Sequence, residues 1–216
     1  MALTEQQQTS LLQLAQAMFN ASPGAIYFGA LGNQLEAGQS LASIAQSLAA
    51  NELFLGINFA DDMTPAAFAE ALIEELIADR ATESNKTIAV DYIVNRMNAG
   101  ATQEEIMAEI TGLLGVFSPL DANWGEAALA YNTVNAGKLA DNLLSDSVSD
   151  DEKAGAVDYI LSQQASGQTF GQMIDWAITT LDGIDHSHPM WGGAAALFDN
   201  RIEVSRYYSI EKAGSS

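Results

Sequence analysis

Both histidines of the chain lie in one short stretch, LDGIDHSHPMWGG. Asp182, Asp185, His186 and His188 there carry the side chains that bind zinc or another divalent ion. A His-x-His spacing in extended or loop backbone puts alternate side chains on one side. Three or four ligands would then come from a single loop. Zinc sites usually bring in a ligand from a distant segment, and Pro189 only stiffens the exit of this one. The competing reading is a polar loop that leads into the last helix.

Two acidic clusters invite calcium. SDSVSDDEK supplies Asp146, Asp150 and Asp151, and FADDMTP supplies Asp61 and Asp62. Neither has the D-x-[DN]-x-[DN]-G spacing or the closing glutamate of an EF-hand. Both read as a loop followed by a helix N-terminus. Calcium held weakly at such loops is the one cofactor the composition points to.

Catalytic signatures are absent. There is no nucleophile elbow, HExxH, P-loop or GxGxxG. Gly192 and Gly193 open a helix without the preceding strand of a phosphate loop. No carboxylate pair can be singled out from 28 acidic residues without geometry. Nothing in the sequence argues for an enzyme.

Composition narrows the partners. The formal net charge is −20, from 28 acidic and 8 basic residues. Such a surface repels phosphate backbones, which argues against nucleic acid, and it attracts cations. The chain is 48% hydrophobic, too apolar for a disordered segment, and its 216 residues suffice for a packed core. With no cysteine, disulfides, thiolate metal sites and cysteine nucleophiles are excluded. The N-terminal MALTEQQQTSLLQLAQ lacks the basic and apolar regions of a Sec-type signal peptide. No apolar run reaches the roughly 18 residues of a membrane span.

The elements that must position these residues are helices. Apolar residues recur at three and four, as in Leu11, Leu14, Ala15 and Met18, or Phe68, Leu72, Ile73 and Leu76. Thr4–Gln7, Thr102–Glu105, Ser149–Glu152 and Thr169–Gln172 fit capping boxes. Ser22-Pro23 and Thr64-Pro65 fit a cap followed by proline at the first helical position. Gly38, Gly100 and Gly167 each follow a periodic run, as a helix-ending glycine does.

The pattern repeats. AVDYI occurs at 89–93 and again at 156–160, and Ala89, Gly100, Thr102 and Trp124 each stand 67 positions before an identical residue. A fainter copy lies 62 positions earlier still, with Gly38 and Ser40 in the places of Gly100 and Thr102. Each copy reads as a helix, a glycine, a capping hydroxyl and a second helix, preceded by a longer helix at about 7–20, 65–82 or 125–146. The expected fold is all-α: three degenerate helical units of about 65 residues stacked into one domain over 1–216. Their approximate bounds are 4–60, 61–121 and 122–185, with a closing helix at 190–212 and a linker-like KAGSS at the end. AVDYI itself reads as a packing element. Val90, Ile93 and Val94 face a core, Tyr92 and Tyr159 are half-buried with a polar partner, and Asp91 and Asp158 suit an early helical turn.

Two stretches resemble a known family. In FGALGNQLEAGQSLASIAQSLAANELF, Leu35, Gly38, Ser40, Leu41, Ile44, Ala45, Leu48 and Phe54 follow the pattern of the helical repeat domain of bacterial surface-layer and repeat-in-toxin (RTX)-type secreted proteins. In LFDNRIEVSRYYSIEK, Phe198, Asn200, Arg201, Val204, Tyr207 and Tyr208 do the same. The resemblance implies a non-enzymatic module near the N-terminus of a larger exported protein. It implies type I secretion, with the signal outside this chain, and an extracellular or cell-surface location. It also implies attachment to envelope polysaccharide or lipopolysaccharide with calcium helping, and contact with copies of itself. The glycine–aspartate nonapeptides that bind calcium in RTX proteins are absent. Two other readings stand beside this one: a self-associating scaffold without glycan binding, and a metal-binding protein centred on His186 and His188.

Overall fold

The computed structural model describes residues 3–212; Met1, Ala2 and the linker-like residues 213–216 lie outside the described residues. The fold is all-α, as expected. The helices are α1 (Glu5–Phe19), α2 (Ala25–Glu36), α3 (Leu41–Ala49), α4 (Glu52–Leu55), α5 (Pro65–Leu76), α6 (Glu83–Asn98), α7 (Gln103–Val116), α8 (Gly125–Leu144), α9 (Asp150–Ala165), α10 (Phe170–Asp182) and α11 (Gly192–Arg206). A π-helical turn, Tyr207–Glu211, continues α11. Among the described residues no helix is long and apolar enough to cross a membrane.

Local chemistry sets most boundaries. All four expected capping boxes form, at the starts of α1, α7, α9 and α10. Thr64 caps α5 ahead of Pro65. Gly38, Gly100 and Gly167 have φ of +89°, +103° and +96°, a backbone that a side chain would strain. At each, the next residue's N–H bonds back to the carbonyl five residues earlier, closing the helix end (Gln39 to Gln34, Ala101 to Arg96, Gln168 to Gln163). The same four-residue step thus turns α2 into α3, α6 into α7 and α9 into α10.

Two boundaries differ from the sequence reading. Ser22-Pro23 does not start α2; Gly24 is the N-cap, and it has no side chain to donate or accept. Ser22 instead hydrogen-bonds Ser205, and the Pro23 carbonyl accepts from Ser209, so this turn is held by the C-terminal helix. The helix expected to reach residue 82 stops at Leu76, where Ala78 turns left-handed at φ +50°. Ser145, 67 positions on, ends α8 with φ +49°.

Buried side chains fall into two clusters. One gathers α1–α4, the C-terminal half of α8, and α9–α11, around Leu11, Leu14, Phe54, Ile174 and Phe198. The other gathers α5, α6, α7 and the N-terminal part of α8, around Phe68, Leu72, Ile93 and Ile106. Helix α8 serves both: Ala127 and Tyr131 enter the second cluster, while Ala136, Leu139 and Leu143 enter the first. The first and third segments of the chain therefore share a core, and the middle segment builds its own.

The closest helix contact explains this pairing. Helix α10 lies along α3. A Cβ on Gly171 would stand 2.1 Å from the Ala42 carbonyl oxygen, so only glycine fits the crossing. The Gly171 N–H donates to the Gln46 side chain at 2.9 Å. Glu104, at the corresponding position of α7, puts a long charged side chain where the other two helices have glycine and alanine. Side chains of α8 and α11 also tie the first and third segments together. Lys138 donates to the Phe54 and Leu55 carbonyls at 2.8 and 3.2 Å, and Asn142 to those of Ala17 and Met18. Arg201 donates to the Asn142 carbonyl and to Ser145.

Candidate functional site

The four candidate metal ligands sit where α10 hands over to α11, and each has its own partner. Asp182 accepts from Gln13 of α1. Asp185 accepts from the Ser187 amide and hydroxyl at 2.7 and 2.6 Å, which hold its carboxyl below the usual range. His186 Nε2 pairs with Asp199 at 2.8 Å. His188 Nδ1 accepts from the Met190 and Trp191 amides at 3.2 and 3.1 Å. Among the described residues no three His, Asp or Glu side chains gather in a way that could hold a metal ion.

The loop before α8 shows what these contacts are for. Asp121 accepts from the Asn123 and Trp124 amides at 2.8 and 2.9 Å, as His188 does 67 positions later. Ser118 accepts from the Leu120 amide, as Asp185 does from Ser187. A Cβ on Gly125 would meet the Pro119 carbonyl oxygen at 2.5 Å; one on Gly192 would meet that of His186 at 2.3 Å. The histidine loop is thus the second use of one turn that starts a helix after a tryptophan. In its other use neither histidine is needed.

The duplication also builds two apolar clefts, which no local sequence pattern marks. In the middle segment, a cleft of about 380 Å³ is walled by Ile73 of α5 and Ile77 at its end, and by Ile88, Ala89 and Tyr92 of α6. Ile110, Leu113 and Leu114 of α7, then Phe117 and Trp124, complete it. Add 67 to each number and the result lines a second cleft, of about 420 Å³. There Ala140 and Leu144 come from α8, and Gly155, Ala156 and Tyr159 from α9. Ala177, Thr180 and Leu181 come from α10, followed by Ile184 and Trp191. AVDYI therefore does two jobs. Its valine and isoleucine pack inward, as expected. Its alanine and tyrosine line a cleft in both copies.

The tyrosines differ in what they meet. Tyr92 donates to Glu109, which also pairs with Arg96 at 3.1 Å. The Tyr92 bond, more than Arg96, holds the Glu109 carboxyl below its usual range, and it pushes the phenol up. At the place of Glu109 the second cleft has Trp176, and Tyr159 packs on it with ring centroids 4.8 Å apart. Aligning the two copies by eye would reveal this exchange; only folding brings the ten lining positions together.

Comparison of the chain with family models, curated proteins and solved structures finds no match.

Proposed function

We propose that this chain is a non-catalytic helical module of a larger secreted, surface-layer-type protein, and that it attaches or assembles that protein on the bacterial cell envelope. The observation that carries this reading is where the resembling residues lie. They are frame residues: Gly38 makes the left-handed turn, Ser40 caps α3, and Ile44, Ala45, Phe54 and Phe198 are buried. Arg201 ties α11 to the end of α8. Resembling residues that serve the frame support a module that holds a larger chain in place.

The surface chemistry supports contact bridged by cations. Asp61, Asp62, Asp91 and Asp158 are exposed, on a chain of net charge −20. An anionic protein meets an anionic polysaccharide or lipopolysaccharide most readily through shared divalent ions, and calcium suits carboxylate oxygens. Type I secretion, with its signal outside this chain, is the route this reading proposes. The test is co-sedimentation of the chain with envelope glycan in calcium and in chelator. Binding in calcium alone is expected. Equal binding in both removes the bridging, and none in either removes the attachment.

One observation favours a second reading, a self-associating scaffold. Ile26 is 89% exposed and Tyr27 59% on α2, which touches the π-helical turn bearing exposed Tyr207 and Tyr208. Light scattering against concentration, without glycan, tests it: growth in mass supports the scaffold, and a constant monomer mass removes it.

A further inference from the structure

The cleft on α8–α10 differs from its counterpart at the rim and along one wall. Its rim is aromatic and apolar: Tyr159, Trp176 and Met190 line it and are 43%, 43% and 45% exposed. At the counterpart the lining Tyr92 is latched instead, donating to Glu109, which also pairs with Arg96. Along the wall, Gly155 and Ala177 stand where the counterpart has Ile88 and Ile110. Gly155 sits inside α9, where glycine costs about 1 kcal/mol relative to alanine. No turn or close approach requires it, since a Cβ built there meets nothing within 4 Å. The space above it stays open, and a cleft of about 420 Å³ falls within the size range of small-molecule sites.

Charge selects the occupant. No Lys, Arg or His lines this cleft, and its one carboxylate is Glu152. The Ser149 amide and hydroxyl bond that carboxylate and keep it ionised. An anionic ligand is repelled, the more so by a chain of net charge −20. A cationic head is attracted, both by the carboxylate and by the exposed aromatic faces. We infer that this cleft binds the hydrocarbon part of a small cationic amphiphile, which Tyr159 and Trp176 grip at the mouth. The inference does not depend on envelope attachment.

The test titrates the full chain with N-phenyl-1-naphthylamine, a neutral fluorescent probe. Dodecyltrimethylammonium and dodecyl sulfate then compete, both below their micelle concentrations. Saturable binding is expected, displaced by the cation and not by the sulfate. Gly155→Ile and Trp176→Glu each install the counterpart's residue, and each should weaken probe binding by about tenfold or more. Both positions are exposed, so the helical circular dichroism should stay unchanged. Non-saturable binding, or full affinity in a folded Gly155→Ile or Trp176→Glu variant, overturns the site. Equal displacement by the sulfate overturns the charge selection.

Discussion

His188 does for α11 what Asp121 does for α8: each accepts the amides of the residue two ahead and of the tryptophan that follows it. The histidine is then replaceable by an acceptor of the same reach. His188→Ala should lower stability by about 1 kcal/mol, the net worth of such hydrogen bonds. His188→Asp should restore it. Denaturant melts of the three proteins check this; if aspartate fails to rescue, the shared role is wrong.

Gly171 predicts the largest single loss. Gly171→Ala drives a methyl into the Ala42 carbonyl and must part α3 from α10. A cost of about 1–3 kcal/mol is expected, seen as a lower thermal midpoint. Gly112→Ala is the control. It lies in α7 with open space around it and should stabilise by up to about 1 kcal/mol.

Ala78 holds a left-handed backbone without being glycine. That conformation costs a side chain about 1–2 kcal/mol. Ala78→Gly should therefore raise the thermal midpoint, partly offset by the greater freedom of glycine in the unfolded chain. A fall would show that the methyl's packing outweighs the strain.

Tyr131 makes stability depend on alkaline pH. Burial pushes its phenol from 10.0 up to about 12. A raised pKa means that the folded state keeps its proton while the unfolded state loses it. The contribution is whole below pH 10 and is lost as pH climbs towards about 12. Tyr131→Phe should flatten the decline of unfolding free energy over that window. An unchanged slope would place the titration elsewhere.

Much of the fold was legible because its signals are local. A capping threonine, serine or glycine acts within about four residues, so Thr102, Ser149 and Gly167 declare their helix ends without reference to the rest of the chain. Ser22-Pro23 misled for the same reason. It has the local form of a cap, but Ser205 and Ser209, far along the chain, claim its polar groups. The end of α5 was hidden because Ala78 carries no signal for a left-handed turn. The four ligand candidates were a fair reading of residue types, but spacing alone cannot tell that Gln13, Asp199 and nearby amides already bind them.

The sequence by itself determined that this protein is helical, where most of its helices turn, and that one turn-and-cap unit recurs along it. These follow from periodicity and capping, which are properties of neighbours. Only the tertiary structure decided which copies touch. The first and third segments meet because Gly171 and Ala42 let two backbones approach, a contact across more than half the chain that no local pattern encodes. It also decided that AVDYI faces two ways. Helical geometry turns Val90 and Ile93 into the core and leaves Ala89 and Tyr92 on a cleft wall, and the wall exists only once α5 and α7 stand opposite.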